Sequence, residues 1–161
     1  MIAIGAGDRS QATRHAIQAR RALPNEPLTH LLRAQAAQLS GDRTTARRIF
    51  EAMLGSKETE QLGLRGLFLE AEREGEHEAA RQFAERALRL NPQLGWPIDA
   101  LFELQCRASD WRGALDTLAA GKRNGHFEKA VADRRRAVIL TAQAQALEDA
   151  SPDKALSLAV E

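Results

Sequence analysis

Apolar residues recur along the chain at helical spacing. Leu64, Leu67, Phe68 and Ala71 stand at i, i+3, i+4 and i+7, on one face of an α-helix. Ile98, Leu101, Phe102 and Gln105 hold the same stripe positions further on, and Ala46 and Phe50 lie one turn apart. Ala12, Ala16 and Ala19 line a face that a neighbouring helix can approach closely. The stripes are separated by Pro24-Asn25-Glu26-Pro27, Ser40-Gly41-Asp42, Gly55-Ser56, Gly75 and Asn91-Pro92. Proline cannot continue a helix and disfavours helix in the residue before it. The pattern predicts helices over about 9–23, 28–39, 43–54, 60–74, 76–90, 97–108, 110–122 and 127–149, and a last one opened by Ser151-Pro152. Long β-branched runs are absent, so the expected class is all-α.

The breaks are themselves periodic. Gly41-Asp42-Arg43 with Ala46 is matched upstream by Gly7-Asp8-Arg9 with Ala12. Downstream it is matched by Gly75-Glu76-His77 with Ala80 and by Ser109-Asp110-Trp111 with Ala114, each step being 34 residues. In each copy the glycine suits a left-handed helix end and the acid suits a helix N-cap. The turn therefore sets architecture, and residues that read a ligand are expected before it, on the first helix of each pair. A period of this length resembles the tetratricopeptide repeat, whose antiparallel helix pairs stack into a right-handed superhelix. The expected organisation is one domain, 1–161: a partial repeat at 1–26, repeats at 27–59, 60–93 and 94–127, and an atypical, truncated last repeat at 128–161. Register breaks after Ala114, because the matching Ala155 follows by 41 residues. The excess of seven, about two helical turns, is expected at Gly121 to Phe127 and in a longer following helix. Both ends read as cut, so a fragment of a longer chain is expected, with possible pairing of two copies through the exposed ends.

Composition narrows the chemistry. Ala, Leu, Arg, Glu and Gln dominate, there is no Tyr, and the net charge is +1. Residues 1–54 carry eight Arg against two Asp and two Glu, a mild asymmetry that does not imply a nucleic-acid partner. Cys106 is the only cysteine, so no internal disulfide or thiolate metal set can form, and its helical position favours packing. His15, His30, His77 and His126 are scattered, without a second ligand at metal-binding spacing. The Glu72, Glu74, Glu76 and Glu78 region reads as a solvated surface beside Arg73 and Arg81. Arg134, Arg135 and Arg136 fan out to different helix faces and cannot grip one anion together. Gly5-x-Gly7 lacks the strand and third glycine of a phosphate loop. No catalytic site, metal or cofactor is expected, and no enzyme. No run of about 18 apolar residues exists to span a membrane.

The repeat resemblance carries a ligand-binding register with it. It selects Leu28, Leu31, Gln35 and Gln38 in the first full pair, Leu62, Arg65, Leu69 and Arg73 in the second, and Trp96, Asp99, Glu103 and Arg107 in the third. The lysine–asparagine clamp that chaperone-binding members use for a terminal carboxylate is missing: Leu31, Gln35, Arg65, Leu69, Asp99 and Glu103 stand there. The mixture of apolar side chains, arginine and acid suits a protein or peptide partner, either an amphipathic helix or an extended segment. Trp96 is the leading anchor, with stapling of its own helix as the alternative; Trp111, after a capping Asp, reads as packing.

A closer resemblance rests on Ile4-Gly5-Ala6-Gly7-Asp8, on the run Pro27 to Leu39, on Leu62-Gly63-Leu64-Arg65-Gly66-Leu67-Phe68, on Asp110 to Leu115 and on Arg134 to Thr141. These resemble the periplasmic repeat region of the proteobacterial HemY proteins, a family distinct from the protoporphyrinogen oxidase that shares the name. The resemblance implies a scaffold tied to late protohaem synthesis and a bacterial inner-membrane location through N-terminal helices absent from this sequence. It also implies a periplasmic repeat region whose partners include haem-synthesis enzymes. A general peptide-binding adaptor in envelope assembly, and direct porphyrin or haem binding involving His30 and Trp96, are the alternative functions.

Overall fold

The structure, a computed structural model, describes residues 27–148 together with Gln11, Arg14, His15, Ile17 and Gln18. The expected cap at Asp8 and the helix after Ser151 lie outside the described residues. Among the described residues the fold is all-helical: α1 (Pro27–Ser40), α2 (Arg43–Met53), α3 (Glu60–Glu74), α4 (His77–Leu90), α5 (Gly95–Arg107), α6 (Trp111–Arg123) and α7 (Lys129–Glu148). None of these helices is long and apolar enough to cross a membrane. The chain divides into two compact units, residues 1–86 and 87–161, with the boundary inside α4. In the first unit α2 packs against both α1 and α3; in the second, α6 packs against both α5 and α7.

The 34-residue period of the sequence is a repeated backbone turn. After α1 the Asp42 amide donates to the Ala37 carbonyl (2.9 Å) and the Gly41 amide to the Gln38 carbonyl (3.1 Å). After α3 the Glu76 amide reaches Ala71 (2.9 Å) and the Gly75 amide reaches Glu72 (3.3 Å). After α5 the Asp110 amide reaches Gln105 (2.9 Å) and the Ser109 amide reaches Cys106 (3.1 Å). Each is the paired closure that uses otherwise orphaned carbonyls at a helix end. The residue at the bend is left-handed each time: Gly41 at φ 83°, Gly75 at 72° and Ser109 at 56°. Serine there carries a steric penalty that glycine avoids. The next helix starts on a capped amide twice over. Asp42 Oδ1 accepts from the Thr45 amide (3.0 Å) and Asp110 Oδ1 from the Gly113 amide (2.9 Å). An extra turn of the same kind follows α6, with the His126 amide on Gly121 (2.8 Å) and Gly125 at φ 76°. It does not break the register, because α7 starts 34 residues after α5. The excess expected at Gly121 to Phe127 lies instead in the longer following helix, α7 running 20 residues against 13 for α5.

The core of the first unit joins Ala34 and Ala37 of α1, Ala46, Ile49, Phe50 and Met53 of α2, and Leu67 of α3, with Leu31, Leu54 and Phe83 packed against them. Burying each large apolar side chain stabilises by about 1.5–3 kcal/mol. Gly63 and Gly66 explain themselves here. A Cβ on Gly66 would sit 2.3 Å from Cδ1 and Cε1 of Phe50, and one on Gly63 would sit 2.8 Å from the Phe50 carbonyl. The two glycines let α3 close onto α2. Thr59, at the start of α3, gives its hydroxyl to the Met53 carbonyl (2.6 Å) rather than to its own helix.

In the second unit Ile98, Ala114, Leu118, Phe127, Ala132 and Ile139 form the core, with Leu88, Phe102, Cys106, Trp111 and Leu115 against it. Trp111 and Cys106 therefore do pack. Helix α5 begins at Gly95, earlier than the sequence predicts, so Trp96 and Pro97 lie within its first turn. Proline is suited there because the first-turn amides have no helical partner. Phe127 precedes α7 and closes on Gly121, where a Cβ would lie 2.4 Å from the ring. A ring nitrogen of His126 lies 2.9 Å from the Pro92 carbonyl, tying the extra turn to the segment after α4.

Candidate binding face

Most of the sequence-selected residues of the first unit fall on the outward sides of α1 and α3; Leu31, packed against the core, and half-buried Gln38 do not. On α3, Leu62, Arg65, Leu69 and Arg73 follow one another by three or four residues, so they share a face. That face is opposite Leu64, Leu67 and Ala71, which are buried. Leu62 and Leu69 remain 38% and 42% exposed, a large exposure for leucine. On α1, Leu28 and Leu32 are exposed, as is Gln35; Leu31 is half-buried and packs against the core instead.

Gln35, Gln38 and Arg73 meet at one cleft of about 510 Å³, lined also by Leu39, Gly41, Arg43 and Glu70. Its organising group is Glu70. Of the charged side chains among the described residues, it is the one that is buried, at 1% exposed. A buried carboxylate needs strong partners. Oε1 of Glu70 accepts from Nη1 of Arg73 (2.9 Å) and from the Gln38 side-chain amide, linking α3 to α1. Oε2 has no hydrogen-bond partner among the described residues. Glu70 thus fixes two of the cleft's side chains while neutralising one of its two arginines.

Sequence reasoning selected Gln35, Gln38 and Arg73 but missed Glu70 and Arg43. A signal for Glu70 was present: it follows Gly63, Gly66 and Leu67 at i+7, i+4 and i+3, inside the buried arc of α3. One period on, Leu104 occupies its place, so the repeat itself marks Glu70 as a departure. Arg43 belongs to the turn that the sequence reads as architecture, yet it and Gly41 line the cleft.

Other described acids of this unit are paired with neighbouring arginines. Arg47 donates to Glu74 (2.9 Å) and Glu76 (3.0 Å) across the α3–α4 turn. Glu60 is paired with Arg86 (2.6 Å), and Glu78 and Glu85 with Arg81. Hydrogen bonds from Arg81 and Gln82 lower the Glu78 carboxyl from 4.5 to about 2. The charge-rich turn is thus a solvated ion-pair surface. His30 lies apart, in a separate cleft of about 420 Å³ with Met53, Ser56, Glu58 and Thr59 among its walls.

In the second unit the selected residues are spread along α5. Asp99, Glu103 and Arg107 are exposed and Trp96 is half-buried. Asp99 is engaged, accepting from Nη1 of Arg135 (3.0 Å), whose guanidinium lies 4.9 Å from the Phe102 ring centre and 4.5 Å from that of Phe127. Arg136 instead lines a cleft between α6 and α7 with Leu115, Leu118 and Lys122, so neighbouring arginines do part. Burial pushes the Cys106 thiol up, with Arg135 opposing and Glu103 adding to the rise, so the reactive thiolate is disfavoured. No protein-family model matches the chain, and a search of curated proteins finds no match.

Proposed function

We propose that the chain is a tetratricopeptide-type solenoid that serves as a non-catalytic scaffold, holding a protein segment against α1 and α3. The observation that carries this reading is the α3 strip of exposed Leu62 and Leu69 interleaved with Arg65 and Arg73, opening onto the cleft at Glu70. Exposed leucines that share one helix face beside fixed polar groups suit a recognition surface, an apolar centre rimmed by polar side chains. Supporting it, most described acids beside that surface, Glu60, Glu74 and Glu76 among them, are engaged in ion pairs. The resemblance to the HemY repeat region supports reading this scaffold as the soluble part of a membrane-anchored protein linked to late protohaem synthesis. Its partner would then be a haem-synthesis enzyme.

The test is a peptide array followed by capture from native membranes, comparing wild type with Leu69→Ala and Arg65→Glu. Loss of the same captured partner in both variants supports the face. Retention of every partner by both removes it. If a partner is captured through this face and is no haem-synthesis enzyme, the general envelope adaptor takes the place of the haem link.

A further inference from the structure

Resting on that reading, we infer that the segment bound on α1 and α3 is an acidic amphipathic helix. The argument is the charge inventory of the first unit. Glu51, Glu74 and Glu76 surround Arg47, Glu60 pairs with Arg86, Glu78 and Glu85 pair with Arg81, and Glu70 pairs with Arg73. Asp42 caps α2, and Glu58 takes the Ser56 hydroxyl. Arg65 and Arg43 make no ion pair among the described residues, and both are exposed on or beside the α3 strip. Arg33, Arg48 and Lys57 also make no ion pair among the described residues, and Glu72 lies 3.6 Å from His77. Arg65 and Arg43 are the two such cations on or beside the strip, so positive charge is left over where the leucines are exposed.

The spacing fixes what complements it. Leu62 and Leu69 are seven residues apart, about 10 Å along α3. A helix laid alongside matches this with apolar residues at its own i and i+7 positions. A carboxylate between them meets Arg65. A second carboxylate, beyond Leu69, enters the cleft between Arg43 and Arg73. There Arg73 still has guanidinium N–H groups to give, because only Nη1 is committed to Glu70. Gln35 lines the same cleft and adds a neutral donor. The cleft's lining carries two arginines and one glutamate, so a carboxylate fits it and a further cation is repelled.

The experiment uses the full chain and three short fluorescein-labelled helical peptides, read by anisotropy. One has leucines at i and i+7 with glutamates between and after them, one has lysines in place of the glutamates, and one has glutamines in place of the leucines. The acidic peptide binds, binding weakens with salt, and Arg65→Glu and Arg43→Glu each lower affinity by about tenfold. The Arg65→Glu variant gains affinity for the lysine peptide, a charge swap that loss of folding cannot imitate. Equal binding of the acidic and lysine peptides, or acidic binding indifferent to both reversals, overturns the inference. A native partner lost on Leu69→Ala, alongside no binding of the acidic peptide, removes this inference and leaves the scaffold reading standing.

Discussion

Gly66→Ala tests whether the glycines of α3 are there for packing. Alanine is the better helix former by about 1 kcal/mol, so on local grounds the change should stabilise. The contact opposes it. The new Cβ would stand 2.3 Å from Cδ1 and Cε1 of Phe50 and 2.5 Å from its Cγ. Carbon pairs rest at about 3.5–4.0 Å, so a shift of more than an ångström is needed. Phe50 is 2% exposed and has no free side to move into, and Cγ is the root of the ring rather than its tip. Overpacking of this kind costs about 1–3 kcal/mol, and contact at the ring root puts it in the upper part of that range. The expected net loss is about 1–2 kcal/mol, a fall in Tm of about 2–8 °C for a chain of this size. Thermal and urea melts followed by circular dichroism read it directly. Gly55→Ala is the control: a Cβ there would meet the Ala52 carbonyl at 3.4 Å, an ordinary contact, and the change should be neutral or slightly stabilising. Phe50→Leu in the Gly66→Ala background should recover part of the loss, with a coupling of at least about 1 kcal/mol. A Gly66→Ala protein as stable as wild type would refute the close-approach argument.

Ser109→Gly should raise stability by about 0.5–1 kcal/mol, because Ser109 holds a left-handed φ of 56° that glycine adopts freely; a lower Tm in the variant contradicts this. Asp110→Ala removes the cap on the Gly113 amide and should cost about 1 kcal/mol in a urea melt, with no change expected in the spectrum of the folded state. Glu78 should titrate at about 2 in a carboxyl NMR experiment. Its folded value is depressed from 4.5, so its contribution is complete above 4.5 and is lost as pH falls toward 2; a midpoint near 4.5 would show that Arg81 and Gln82 do not hold it. Arg47→Met should cost less than about 1 kcal/mol, and the loss should shrink in high salt, because its pairs with Glu74 and Glu76 are near the surface.

Helix content was legible because it rests on local rules. The stripe Leu64, Leu67, Phe68 and Ala71 and the stop at Gly75 placed α3 at the bounds it has. Gly41 and Asp42 revealed a left-handed bend and a cap, since few other residues do either task well. The site was legible only in part. Gln35, Gln38 and Arg73 came from a repeat register, which carries position but not company. Their meeting point depends on Glu70, a residue whose partners lie 32 positions away on α1 and three positions away on α3. A buried acid is indistinguishable from a solvated one until its neighbours are known. The start of α5 was misjudged for a related reason: Pro97 reads as a first residue, whereas Gly95 and Trp96 already follow the helical path.

The dependence of Phe50 on Gly66 also bears on the order in which the chain acquires structure during synthesis. The α1–α2 turn closes through bonds no more than five residues apart, so that hairpin can form as soon as it emerges. Its aromatic ring then has no lid, because the surface that receives it belongs to α3, still to be made. For that interval the nascent hairpin displays a sticky phenylalanine, and a pause in translation before Gly66 lengthens the exposure to chaperones and to self-association.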